Sequence, residues 1–131
     1  MELLRRVLIL QAIGWSICGA AIAVVPGVVL DIFDLPPLPD QAYVRVAGIL
    51  SLSLSMLMVL VARRLETLWW FVWAFVFASA GSAIVALLNA LVGLPEDASP
   101  LLWWLFAGAS TVFTIGLLAG LARTGTERPP L

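Results

Sequence analysis

Four runs of apolar residues constrain this chain more than any other feature: Val7 to about Pro26, Tyr43 to Ala62, Leu68 to about Leu91, and Leu101 to Leu121, each bounded by charge or proline. A hydrocarbon core about 30 Å thick is crossed by roughly 20 helical residues rising about 1.5 Å each. Each run is therefore long enough to cross, and four crossings use most of the 131 residues. Backbone groups in lipid must pair within their own segment, and the short connections leave no room for a re-entrant domain, so helices are the expected form. The composition agrees: 63% of residues are apolar and 11% charged, against about half and about 25% in soluble domains. The sequence thus predicts an all-α, polytopic membrane protein. It is a single transmembrane domain, residues 1–131, folded as an up-down-up-down bundle of four transmembrane helices.

The charges sort by connection. Arg5 and Arg6 precede the first run, Arg63 and Arg64 follow the second, and Arg123 and Arg128 follow the fourth. The other two connections carry Asp31, Asp34, Asp40, Glu96 and Asp97 and no loop arginine. By the positive-inside rule both termini and the 63–67 turn face the cytoplasm, and the acidic connections face out. Tryptophans fit the same layout, because indole pairs an apolar ring with an N–H that seeks the headgroup level. Trp69 and Trp70 stand at the inner entrance of the third run, Trp103 and Trp104 at the outer entrance of the fourth. A competing reading takes residues 1–23 as a secretory signal, with Ala21-Ile22-Ala23 as its cleavage site. The apolar run continues through Val24 and Val25 instead of turning polar there, which favours a retained helix.

What is missing narrows the chemistry. The chain has no histidine, no lysine and one cysteine, Cys18, and its net charge is −1. An internal disulfide is excluded, zinc, haem and copper lack their usual ligands, and no basic surface exists for nucleic acid. No acid or base lies at the centre of any run, so a proton-coupled pump is disfavoured and general acid–base catalysis has almost no candidates. No cofactor, metal site or catalytic residue is expected, and the protein is read as no enzyme.

Helices in lipid associate through close backbone approach and a few polar contacts, which require small residues on the touching faces. In the third run Ala74, Ala78, Ser82, Ala86 and Ala90 recur every fourth residue, a ridge that winds slowly around the helix. The fourth run offers Gly108, Gly116 and Gly120, and the first Ala12, Ser16 and Ala20. Polar side chains within the runs are few: Gln11, Ser51, Ser53, Ser55, Ser79, Asn89, Ser110, Thr111 and Thr114. Hydroxyls of this kind can bond to carbonyls of their own helix, so no polar pore follows from them.

Arg45 is the exception inside an apolar run. Pro26 closes the first run, and the GVVLDIFDL that follows sets Asp31 and Asp34 three apart, as on one face of a short interfacial helix over about 27–35. Pro36, Pro37 and Pro39 prevent its continuation, and Asp40 is placed to cap the second helix. Arg45 then sits about one turn below the outer surface. On one reading it snorkels and pairs with Asp31, Asp34 or Asp40. On the other it anchors a lipid phosphate or a carboxylate through two parallel bonds. Trp15, near mid-depth, reads as a packed aromatic or as the wall of a ligand cavity.

The two outer connections echo each other. Leu35-Pro36 precedes Ala47-Gly48, and Leu94-Pro95 precedes Ala107-Gly108, so that Arg45 matches Leu105; parallel repeats and chance similarity both explain this. A first span ending in proline, an apolar loop ending in LPP, Arg45 three residues before Gly48, a long second span and the double Arg63-Arg64 complete the pattern. It resembles a large group of small, mostly uncharacterised bacterial four-helix membrane proteins, similar in size and layout to DoxX-like proteins. The resemblance covers nearly the whole chain. It implies a bacterial inner-membrane location and an accessory role beside redox or transport proteins.

The first expectation for function is a small non-catalytic integral membrane protein that works through helix packing. It would act as a homo-oligomer or as an accessory subunit of a membrane complex, with membrane lipids as its other partners. The alternatives are a transporter or channel for a small or lipophilic solute, lined by Ser51, Ser55, Asn89 and Thr111 in a dimer, and a lipid- or quinone-binding protein near Trp15 and Arg45.

Overall fold

The computed structural model describes residues 1–36, 39–93 and 99–127, and none of these lies in a strand. Helix α1 spans Glu2–Val24, α2 Pro26–Ile32 and α3 Ala42–Arg63. After a one-residue break at Arg64 come α4 (Leu65–Leu68), a 3-10 turn (Trp69–Phe71), α5 (Val72–Leu88) and a π turn (Asn89–Gly93). The last helix, α6, spans Leu101–Glu127. Four helical stretches are long and apolar enough to cross a membrane: Glu2–Val24, Ala42–Arg63, Leu65–Gly93 and Leu101–Thr126.

The helices overrun the apolar runs at their wet ends because charged residues continue a helix readily where water reaches them. Glu2 opens α1, where a carboxylate complements the helix dipole, and its Oε1 accepts from Arg6 Nε at 3.2 Å one turn later. At the other end α1 stops at Val24. Pro26 restricts Val25, which leaves the helical region (φ −130°, ψ 59°), and serves as the first residue of α2.

The interfacial segment is shorter than the sequence suggests. α2 ends at Ile32, and Asp34 does not share its face with Asp31 but takes a left-handed conformation (φ 50°). Its N–H bonds to the Asp31 carbonyl at 3.3 Å, and the Leu35 N–H to the Leu30 carbonyl at 2.9 Å. This is a Schellman ending with aspartate where glycine is usual. Asp40 lies one residue before the N-cap Gln41, and its Oδ1 accepts the first helical N–H, that of Ala42, at 2.9 Å. Ser99 bears the same relation to α6, with its Oγ 3.4 Å from the Leu101 N–H.

α1 packs most extensively on α3 and also touches α6, which in turn packs along α5. Antiparallel pairing of α1 with α3 follows from its contacts, since Arg5 bonds to Ala62, Ser16 to Ser55, and Gly19 meets Gly48. α1 and α6 are also antiparallel, with Leu4 against Gly120 and Val7 against Gly116. The buried core gathers towards the end that carries Arg5, Arg63, Arg64 and Arg123. It is built from Leu4, Leu8 and Ala12 of α1, Met58 and Val61 of α3, Leu65, Val72 and Phe75, and Leu117 and Leu121 of α6. Away from that core, large apolar side chains lie open on every long helix, among them Ile17, Leu50, Phe77 (82% exposed) and Val112. So much open apolar surface is tenable when the surrounding medium is hydrocarbon.

Candidate functional site

Two helices approach closely at a pair of glycines, Gly19 and Gly48, that sequence reasoning did not single out for packing. A Cβ on Gly48 would lie 2.6 Å from the Gly19 carbonyl oxygen and 2.7 Å from the Ala23 nitrogen; a Cβ on Gly19 would lie 2.9 Å from the Gly48 oxygen. Here α1 and α3 cross backbone against backbone, the arrangement small residues permit in lipid. The spacing Gly19-x-x-x-Ala23 was the available signal. Of the packing candidates in α6, Gly116 and Gly120 serve a similar purpose. Their Cβ positions would meet Val7 at 3.2 Å and Leu4 at 2.9 Å, whereas a Cβ on Gly108 would meet nothing within 4 Å.

The alanine ridge of α5 behaves as its spacing requires. Four residues advance a helix by about 40° beyond a full turn, so the ridge rotates from an exposed Ala74 through half-buried Ala78 and Ser82 to a buried Ala86. Between α5 and α6 the ridge borders an open groove of about 340 Å³ lined by Phe77, Ala78, Gly81, Ser82, Val85 and Phe106. Trp15 reaches the same neighbourhood from α1, its ring edge-on to Phe106 with centroids 6.0 Å apart. That contact makes it a packed aromatic joining α1 to α6.

Polar groups inside the bundle are mostly consumed locally. Ser51, Thr111 and Thr114 each donate to the carbonyl four residues back, and Ser55 to that of Leu52. Among the described residues, two bonds between side chains join different helices: Ser16 Oγ donates to Ser55 Oγ at 2.8 Å, and Gln11 Nε2 donates to Ser79 Oγ. Gln11 is only 1% exposed, and its Oε1 has no hydrogen-bond partner among the described residues. In a low-dielectric interior such an orphan costs free energy. The Gln11–Ser79 bond therefore ties α1 to α5 with half of the amide unsatisfied.

Arg45 lies in the first turns of α3, exposed, its backbone N–H bonded to the Gln41 carbonyl at 3.0 Å. Asp31, Asp34 and Asp40 are exposed as well. Among the described residues none of them forms an ion pair with Arg45. The arginine that does hold helices together is Arg5. Its Nε donates to the Ala62 carbonyl at 3.1 Å, placing a cation on the negative end of α3.

Glu96, Asp97 and Arg128 lie outside the described residues. The protein-family models, the curated proteins and the solved structures offer no significant match to this chain.

Proposed function

We propose that this chain is a small non-catalytic integral membrane protein that acts through helix packing, as a homo-oligomer or as an accessory subunit of a larger membrane complex. In this reading it crosses a bacterial inner membrane up-down-up-down with both termini in the cytoplasm, as its charge distribution and its resemblance to DoxX-like proteins suggest.

One observation carries the reading. Gly81 and Gly108 sit inside apolar spans, and a Cβ on either would meet nothing within 4 Å. A glycine in a helix interior costs up to about 1 kcal/mol relative to alanine. Gly48, Gly116 and Gly120 offset that cost with a close neighbour inside the chain; Gly81 and Gly108 do not. Their open backbone faces suit a helix from another polypeptide.

Crosslinking in native membranes tests this. Wild type should give discrete adducts with itself or with a partner, and Gly81→Leu with Gly108→Leu should abolish them while the folded monomer persists. A strictly monomeric wild type without adducts overturns the proposal.

A further inference from the structure

We infer that Arg63 and Arg64 form a docking point for the headgroup of an anionic phospholipid. The inference rests on the chain being embedded in a membrane, and not on which end is cytoplasmic.

The contacts of α1 with α3 and α6 bring Arg5, Arg6, Arg63, Arg64 and Arg123 to one end of the bundle. That end holds five arginines against Glu2, Glu66 and Glu127, whereas the opposite connection sets Asp31, Asp34 and Asp40 against Arg45. An anion is therefore drawn to the arginine end and repelled from the surroundings of Arg45.

Within that end the arginines differ. Arg5 is engaged by the Ala62 carbonyl and lies 4.0 Å from Glu2, and Arg6 bonds to Glu2 at 3.2 Å. Arg63 and Arg64 are both exposed, and among the described residues neither has a carboxylate within 4.0 Å. The Arg64 backbone is already satisfied: its N–H bonds to Leu60 and Val61, and its carbonyl accepts from Thr67 and Leu68. The turn is thus held in place without using either guanidinium. Five residues on, the stacked rings of Trp69 and Trp70 (centroids 3.9 Å apart) mark the headgroup level, Trp70 being 65% exposed. Two adjacent guanidiniums at that depth match a phosphate through parallel charge-assisted bonds.

The test is native mass spectrometry of the chain in a mild neutral detergent, titrated with phosphatidylglycerol or phosphatidylcholine. Each arginine near an anionic surface strengthens binding roughly five-fold. Wild type should retain phosphatidylglycerol over phosphatidylcholine, and Arg63→Gln/Arg64→Gln should lower that retention roughly thirty-fold. Arg63→Lys/Arg64→Lys should keep most of it, and Arg45→Gln should bind as wild type. Raising salt from about 0.1 M to about 1 M should release the lipid from wild type, a readout that stands even where the glutamine variant does not fold.

Equal retention of the two lipids by wild type, salt-insensitive binding, or loss in Arg45→Gln overturns the inference. Displacement by glycerol phosphate as effective as by intact lipid also overturns it, by showing a site for free phosphate. A chain that dissolves without detergent removes the membrane reading beneath it, which is a separate failure.

Discussion

Replacing Gly48 by alanine probes the packing most sharply. The added Cβ would lie 2.6 Å from the Gly19 oxygen, 2.7 Å from the Ala23 nitrogen and 2.9 Å from the Ala23 Cβ. Two of these three are backbone atoms, and no rotamer change moves them aside. α1 and α3 must separate instead, and a gap of about 0.5–1 Å forfeits a quarter to a half of each dispersion contact along the seam. Overpacking of this kind costs about 1–3 kcal/mol. Alanine returns up to about 1 kcal/mol of helix propensity, which leaves a net loss of up to about 2 kcal/mol. Gly108→Ala makes the same chemical change where a Cβ meets nothing within 4 Å. In the monomer it should gain about 0.5–1 kcal/mol. Both variants gain the same propensity, so reversible unfolding in mixed micelles, followed by circular dichroism, should separate them by the overpacking cost of about 1–3 kcal/mol. A Gly48→Ala protein as stable as Gly108→Ala would refute the close crossing.

Other outcomes follow from single contacts. Ser79→Ala removes the partner that the buried Gln11 amide has among the described residues, so it should cost about 1–2 kcal/mol in the same unfolding assay. Adding Gln11→Leu should restore most of that loss, because the orphaned polar group then disappears; a further loss would contradict the geometry. Asp34→Gly should stabilise by about 1 kcal/mol by relieving the left-handed backbone, whereas Asp34→Val should destabilise by at least as much. Arg45→Gln should change stability by less than about 0.5 kcal/mol, since Arg45 has no ion pair to lose among the described residues.

The four long apolar helices were legible because hydrophobic length is a direct physical requirement of the bilayer, independent of how helices pair. Their ends were legible to within about six residues: Pro26 acts where its chemistry placed it, and Asp40 takes a first-turn N–H from just outside the cap. The α2 boundary was less so: aspartate tolerates the left-handed region, and nothing in GVVLDIFDL distinguishes Asp34 as a helix-stop from Asp34 as a helix-face residue. Close approach was only half legible. Gly116 and Gly120 could be picked out as small residues, but Gly48 and Gly108 follow the same Ala-Gly pattern and have opposite surroundings. Which one meets a neighbour depends on the crossing of α1 over α3, a tertiary fact. Arg45 drew attention as a charge in an apolar run, yet the arginine that bonds between helices is Arg5, whose target is a backbone carbonyl that carries no side-chain signal.

Four crossings of one bilayer are the foundation of the account, and impermeant maleimide labelling tests them most directly. In a Cys18→Ser background, single cysteines would replace Pro39, Thr67, Ser99 or Thr126, and right-side-out vesicles would be labelled before and after permeabilisation. Cysteines at 39 and 99 should react at once, and those at 67 and 126 only after the membrane is opened. Labelling of 67 and 126 from opposite faces, or of all four before permeabilisation, would contradict it.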